Sequence, residues 1–135
     1  MRKPRKKTKG ELVSDGMNLL SNQYRKDKNS IRINIHNSLK HEMAKLVKVY
    51  ELIQDGYQVI TEARFKNGRI ADIYVPETQT VYEILQTEKK KEAFHKTSFY
   101  PQECLIWLLD ADEIIKEGFE QNFKKKHNNE KIKTY

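Results

Sequence analysis

The chain has 135 residues, of which 37% are hydrophobic and 33% charged, with a net charge of +7 and one cysteine, Cys104. That size suits one domain with a real core and two tails. The lone cysteine excludes a disulfide framework and suits a reducing compartment, and no apolar stretch nears the roughly 20 residues of a bilayer crossing.

No apolar signal core follows the basic start, so an intracellular, cytoplasmic protein is expected, in the host cell if the origin is viral. Residues 1–10 form a basic arm, expected to be disordered when free. Arg2, Lys3, Arg5, Lys6, Lys7 and Lys9 give residues 1–9 a charge of +6. Residues 124–133, with Lys124, Lys125 and Lys126, carry +4, which leaves −3 for the rest. Basic ends on a near-neutral body suit a polyanion, nucleic acid above all, although a tail that merely aids solubility has the same composition. No amphipathic face with exposed aromatics accompanies the arm, which argues against a membrane partner.

An N-terminal extension spans 11–37. Glu11 to Arg25 predicts a helix weakened by Gly16. Ile31, Ile33 and Ile35 alternate with polar residues from Ser30 to His36, the period of an edge or dimer strand. The main body spans 38–127. Asn37 and Ser38 offer caps for a helix over Leu39–Gln54, which Gly56 ends. Its apolar positions Leu39, Met43, Leu46, Tyr50 and Ile53 form a stripe expected to face the core. His41, Lys45 and Lys48 fall on another face and Glu42 borders the stripe; a solvated polar surface accounts for all four.

Tyr57–Phe65 reads as a strand, Lys66-Asn-Gly68 as a hairpin turn with positive φ at both central positions, and Arg69–Val75 as its antiparallel partner. Pro76 to Thr80 turns the chain into Val81–Gln86. Glu88–Lys96 is a polar helix whose basic face, with Lys89 and Lys90, suits a phosphate or water. Cys104–Leu109 is apolar throughout, as in a strand buried on both faces. Asp110 caps a last helix toward Lys126, and 128–135 is a basic polar tail.

Asp72 and Glu83 sit inside adjacent strands. Such carboxylates carry a cost unless paired, hydrated or bound to a metal, and a divalent cation is a common way to hold two of them. Side chains that simply face solvent would remove the conflict. The chain has no Walker loop, Cys-x-x-Cys pair, His-Glu-x-x-His or Gly-x-Ser-x-Gly, and its four histidines lack zinc-like spacing.

The order of helix, strand, hairpin, strand, turn, strand, helix and buried strand, with Asp72 on the middle strand and Glu83 eleven positions later, resembles the core of the PD-(D/E)XK nuclease superfamily over roughly Ser38 to Asp110. That superfamily includes Holliday-junction resolvases, restriction enzymes and many viral or mobile-element nucleases. His41-x-x-x-Lys45, Val59-x-x-Glu62 and Arg69-x-Ala-Asp72 also look like the nuclease-like part of the competence protein CoiA. The resemblance implies an α/β protein with a restriction-endonuclease-like αβββαβ core, a mixed sheet flanked by helices. It implies hydrolysis of phosphodiester bonds in DNA by an endonuclease with Mg²⁺ or Mn²⁺ on Asp72 and Glu83, no small-molecule cofactor, and a plausible homodimer. Glu42 would be the acidic residue from the first helix, with Glu62 and His41 as further site residues. Where the family usually carries Lys this chain has Leu85. Three alternatives follow: Gln86 serves, which requires a bulge in the strand; Lys45 serves from the helix; or the protein is an inactive nuclease-fold module that binds DNA or another protein. A purely structural protein, with Ile31–Ile35 as a dimer strand and solvated carboxylates, is a third class of reading.

Overall fold

The computed structural model describes residues 5–22, 27–86 and 97–130, and of 119 and 122–130 the backbone alone. Arg2, Lys3, the Glu88–Lys96 helix with Lys89 and Lys90, the side chains of Lys124, Lys125 and Lys126, and most of the C-terminal tail lie outside the described residues.

Helix α1 covers Lys9–Met17, and the Thr8 side chain accepts from the Glu11 amide at its start. It stops well short of the predicted Arg25. Gly16 shapes the end of the helix: it lies so close to the Pro76 carbonyl that a Cβ would collide with it. The Gly16 carbonyl accepts a 2.8 Å hydrogen bond from the Tyr74 hydroxyl. The glycine thus lets the helix end rest on the sheet.

Helix α2 covers Leu39–Gln54, capped by Ser38, whose hydroxyl accepts from the His41 amide at 3.1 Å. The bounds agree with the sequence, but the buried face is the opposite one. Leu39, Leu46, Tyr50 and Ile53 are exposed, while His41, Glu42, Ala44, Lys45, Val49 and Leu52 are buried. The polar positions read as solvated are interior because they satisfy one another, as the site geometry shows.

Strands β1 (Ile60–Arg64), β2 (Ile70–Val75), β3 (Thr80–Leu85) and β4 (Leu105–Asp110) form one mixed sheet in the order β1-β2-β3-β4. The first two pairings are antiparallel and β3 runs parallel to β4. The hairpin between β1 and β2 differs from the predicted turn. Only Gly68 has positive φ, and a three-residue loop is closed by the Phe65 amide on the Arg69 carbonyl. β4 is an outer strand of the sheet, and Leu105 and Trp107 are exposed among the described residues, against the expectation of two buried faces. Helix α3 runs over Ala111–Glu130, and the Asp110 side chain accepts from the Asp112 amide at its start.

Residues 31–35 are not a strand. The segment runs beside β1 but bonds through side chains, with the Arg32 amide donating to Thr61 Oγ1 and the Thr61 hydroxyl donating to the Ser30 carbonyl. Those side chains replace the backbone ladder that the alternation suggested, and Ile33 and Ile35 stay exposed.

Each side of the sheet has its own core. One gathers Leu20, Phe65, Tyr74 and Tyr100, whose rings meet edge to face at 5.0 and 5.6 Å. Such pairs add about 0.5–1.5 kcal/mol beyond area burial. The other packs Ala44, Val49 and Leu52 of α2 against Val59, Ile73, Val75 and Ile84, with Ala111 of α3. Together these place the first turn of α2 over the middle of the sheet.

Candidate active site

β2 and β3 pair from Val75↔Thr80 to Ile73↔Tyr82, while β3 stays paired with β4 as far as Leu85↔Asp110. Asp72 and Glu83 are the next residues past the last β2–β3 pair, where the two strands part. The β3 amide of Ile84 donates to Asp72 Oδ2 at 2.9 Å, so a side chain takes a bond that a neighbouring strand would supply. On the other side of β2, the pairs Thr61↔Ile73 and Ala63↔Ala71 leave Glu62 opposite Asp72 and unpaired. Glu62 has φ 49°, a left-handed conformation rare for a glutamate. The backbone is therefore irregular on both sides of Asp72.

A cleft of about 610 Å³ opens at this parting. Asp72, Glu83, Leu85 and Gln86 line it from the sheet, and His36, Asn37, Ser38 and His41 line it from the start of α2 and the residues before it. Gln86 Nε2 donates to the Ser38 hydroxyl at 2.7 Å. No bulge brings Gln86 there, because the β3–β4 register is unbroken through Leu85. Gln86 lies just past the strand, where alternation no longer fixes its direction. Leu85 is buried.

His41 stands between two carboxylates, with Nε2 3.3 Å from Asp72 Oδ2 and Nδ1 3.0 Å from Glu42 Oε1. Burial pulls its pKa down, but Asp72 and Glu42 outweigh that and raise it overall. Burial also works to raise Asp72, yet hydrogen bonds from His41 and Glu83 hold it below the usual carboxylate range. Glu83 is pushed up to about 9, first by burial and then by the Asp72 charge. The two carboxyls therefore share a proton and titrate as a pair. Glu83 Oε1 is buried and has no hydrogen-bond partner among the described residues.

Beside this open pair lies a closed cluster. The Lys45 ammonium, fully buried, reaches the Arg32 carbonyl at 2.6 Å, Glu42 Oε2 at 2.6 Å and Glu62 Oε1 at 3.1 Å. Three acceptors match its three donors. Glu42 also accepts from the Asn34 amide and from Asn37 Nδ2. Burial raises the Glu62 pKa despite the Lys45 charge.

The predicted residues thus divide. Asp72, Glu83, Gln86 and His41 share the cleft, whereas Lys45, Glu42 and Glu62 are tied to one another behind it. Lys45 has no donor left to orient a water, and the oxygens of Glu42 are already occupied. The arm is also partly engaged: Arg5 pairs with Glu11, Lys7 with Asp15, and Lys9 Nζ donates to the Gly56 carbonyl. Those contacts are exposed and exchange readily with a phosphate.

Sequence reasoning missed Ser38 as a lining residue. It was legible only as a helix cap, and the cap position is what aims its hydroxyl at Gln86. Arg69 was missed as well. It lies 5.1 Å over the Tyr100 ring, and its charge favours the ionised form of Glu83.

Among the described residues no group of three His, Cys, Asp or Glu side chains forms a ready metal cage. Two carboxylates are nevertheless enough for Mg²⁺, which keeps several of its waters. A proton shared between close carboxyls and an orphaned, buried Glu83 oxygen are what such an ion would replace and satisfy. No described helix is long and apolar enough to cross a membrane. No family model matches the chain, and neither a curated protein nor a solved structure shows significant similarity to it.

Proposed function

We propose that the chain is a small metal-dependent nuclease, of restriction-endonuclease-like fold, that cuts DNA. The observation that carries this reading is the Asp72–Glu83 pair, set side by side where two strands part and lining an open cleft. Neighbouring buried carboxylates repel and are costly unless something holds them, and a divalent cation is a common way to do so. The mixed sheet with α2 across it is compatible with the fold, and the basic arm with a polyanion.

Asp72 and Glu83 would hold one Mg²⁺ or Mn²⁺. Such an ion, when bound, lowers the pKa of its water and neutralises charge on the reacting phosphate. The remaining work falls to the chain. The Ile84 amide and His41 both engage Asp72 Oδ2 and so fix the carboxylate that lines the cleft. Ser38 orients Gln86, whose amide can position a water or contact a phosphate oxygen. Lys45, with Glu42 and Glu62, holds α2 against β1 so that His41 stays over Asp72. Exposed lysines and arginines of the arm add affinity that falls with salt.

The test is incubation of labelled duplex, single-stranded and four-way-junction DNA with Mg²⁺, Mn²⁺ or EDTA, with wild type beside Asp72→Asn and Asp72→Ala. Cleavage that is lost in EDTA and in both variants is expected. One observation favours a second reading, a module that binds without cutting: the position of the usual lysine holds a buried leucine, Leu85. DNA that shifts on a gel at low salt and stays intact under all conditions would establish that reading instead.

A further inference from the structure

The apolar stripe of α2 is spaced by steps of four, three, four and three: Leu39, Met43, Leu46, Tyr50 and Ile53. Four of them are exposed, Leu39 at 77%, Leu46 at 50%, Tyr50 at 52% and Ile53 at 38%, and Met43 is half-buried. An amphipathic helix at a protein surface normally turns such a stripe inward. Here α2 already has a buried face on the sheet, so its stripe is a second apolar surface. The alternation of four and three averages 3.5 residues, the repeat that keeps one seam facing a partner helix. A flat sheet, a strand or an extended peptide has no such period, so the matching surface is another helix with the same repeat.

We infer that this surface joins two copies of the chain through antiparallel α2 helices. The stripe is close to self-complementary about its middle residue. With Leu46 on a two-fold axis, Leu39 meets Ile53 of the second copy and Met43 meets Tyr50. The charges beside the seam select the direction. Lys40 lies near the start of the helix, while Glu51 and Asp55 lie near its end. In the antiparallel arrangement Lys40 approaches the acidic end of the other helix, whereas a parallel one sets Lys40 against Lys40. Lys40 is paired with Asp112 at 2.9 Å and Glu51 with Lys48 at 3.9 Å, but both pairs are partly or fully exposed and easily exchanged. The opposed helix dipoles also favour the antiparallel pair.

The helix is about 24 Å long, so the seam alone falls short of the ~800 Å² per partner of a standard interface. A dimer of micromolar affinity is the expected scale. This inference does not depend on the nuclease reading.

The test is sedimentation velocity of the full chain from roughly 1 to roughly 100 μM, the range in which such an affinity shows. The wild type is expected to pass from monomer to dimer. Leu46→Glu is expected to remain monomeric with unchanged circular dichroism and melting temperature. A second measurement uses Leu39→Cys and Ile53→Cys proteins, each also carrying Cys104→Ser, mixed and oxidised. Cross-links between the two different proteins, without self-cross-links, support the antiparallel pair. A wild type that stays monomeric throughout overturns the inference, as does a Leu46→Glu protein that dimerises equally well. Self-cross-links alone overturn the antiparallel geometry. A monomeric wild type destabilised by Leu46→Glu also overturns it, because the chain's own residues would then cover the stripe.

Discussion

Two charged clusters lie side by side under the start of α2, and they are built on opposite principles. Around Lys45 all three ammonium donors have acceptors and the ammonium is sealed from water. Around Asp72 and Glu83 the accounts stay open: one proton serves two carboxyls, one oxygen has no partner, and a cleft reaches both residues. A closed cluster stabilises a geometry, whereas an open one is available for binding. On the nuclease reading proposed above, Lys45 is architectural and the carboxylate pair does the chemistry, and each role has consequences that can be broken experimentally.

The largest expected effect belongs to the closed cluster. Lys45→Ala leaves Glu42 and Glu62 buried around a missing cation, and breaking such a pair costs about 3–5 kcal/mol. Urea denaturation should show that loss, or a chain that fails to fold. A variant that kept wild-type stability and lost only cleavage would put Lys45 back among the catalytic residues. The next effect is opposite in kind. Asp72→Asn keeps an acceptor for the Ile84 amide, so stability should change little. Cleavage should fall by more than the roughly 100-fold typical of residues that only support a metal ligand.

This division was only half legible in the sequence. The bounds of α2 were, because Ser38 and Gly56 mark its ends. Its inward face was not. Periodicity reports that a stripe exists, not which side the protein covers, and His41, Glu42 and Lys45 are interior only because their partners arrive from residues 32, 34, 37, 62 and 72. Asp72 and Glu83 were legible as carboxylates within strands. The left-handed turn at Glu62 was not, since glutamate gives no cue for positive φ. The contact between Ser38 and Gln86 spans 48 positions, beyond the reach of local patterning. Ile31–Ile35 misled because alternation also arises in an extended segment held by side chains.

A smaller effect should appear in the pH dependence of stability. Glu83 keeps its proton up to about pH 9 in the folded protein, against 4.5 as its ordinary value. Between those limits the folded state binds more protons than the unfolded one. Stability is therefore full below about pH 4.5 and declines as pH rises through the window. The raised pKa values of His41 and Glu62 act with the same sign, as pH rises above their ordinary values of 6.5 and 4.5. Asp72 is lowered, so its contribution is lost only as pH falls below about 3.8, outside the window. Glu83→Gln should flatten most of the decline in urea midpoints between roughly pH 5 and pH 9. Millimolar Mn²⁺ should raise the midpoint at the alkaline end in wild type and not in Glu83→Gln. An equal decline in both proteins would mean that the carboxyls do not share a proton.

The smallest effect is the most discriminating, because it separates Gln86 from Leu85. Gln86 is exposed and donates to the Ser38 hydroxyl, a bond worth about 0.5–1.5 kcal/mol. Gln86→Ala should therefore leave stability nearly unchanged and, on the proposed nuclease reading, lower cleavage less than Asp72→Asn does, since the side chain would orient a water or phosphate rather than hold the metal. Installing a lysine probes the same geometry from the other direction. Leu85→Lys places an ammonium at a position only 9% exposed and should destabilise the fold. Gln86→Lys places it in the cleft beside Asp72 and Glu83, where its charge is compensated, and should keep or increase cleavage. If Leu85→Lys were instead the well-folded and more active variant, the lysine of this cleft would belong within the strand, and the role given to Gln86 would be wrong.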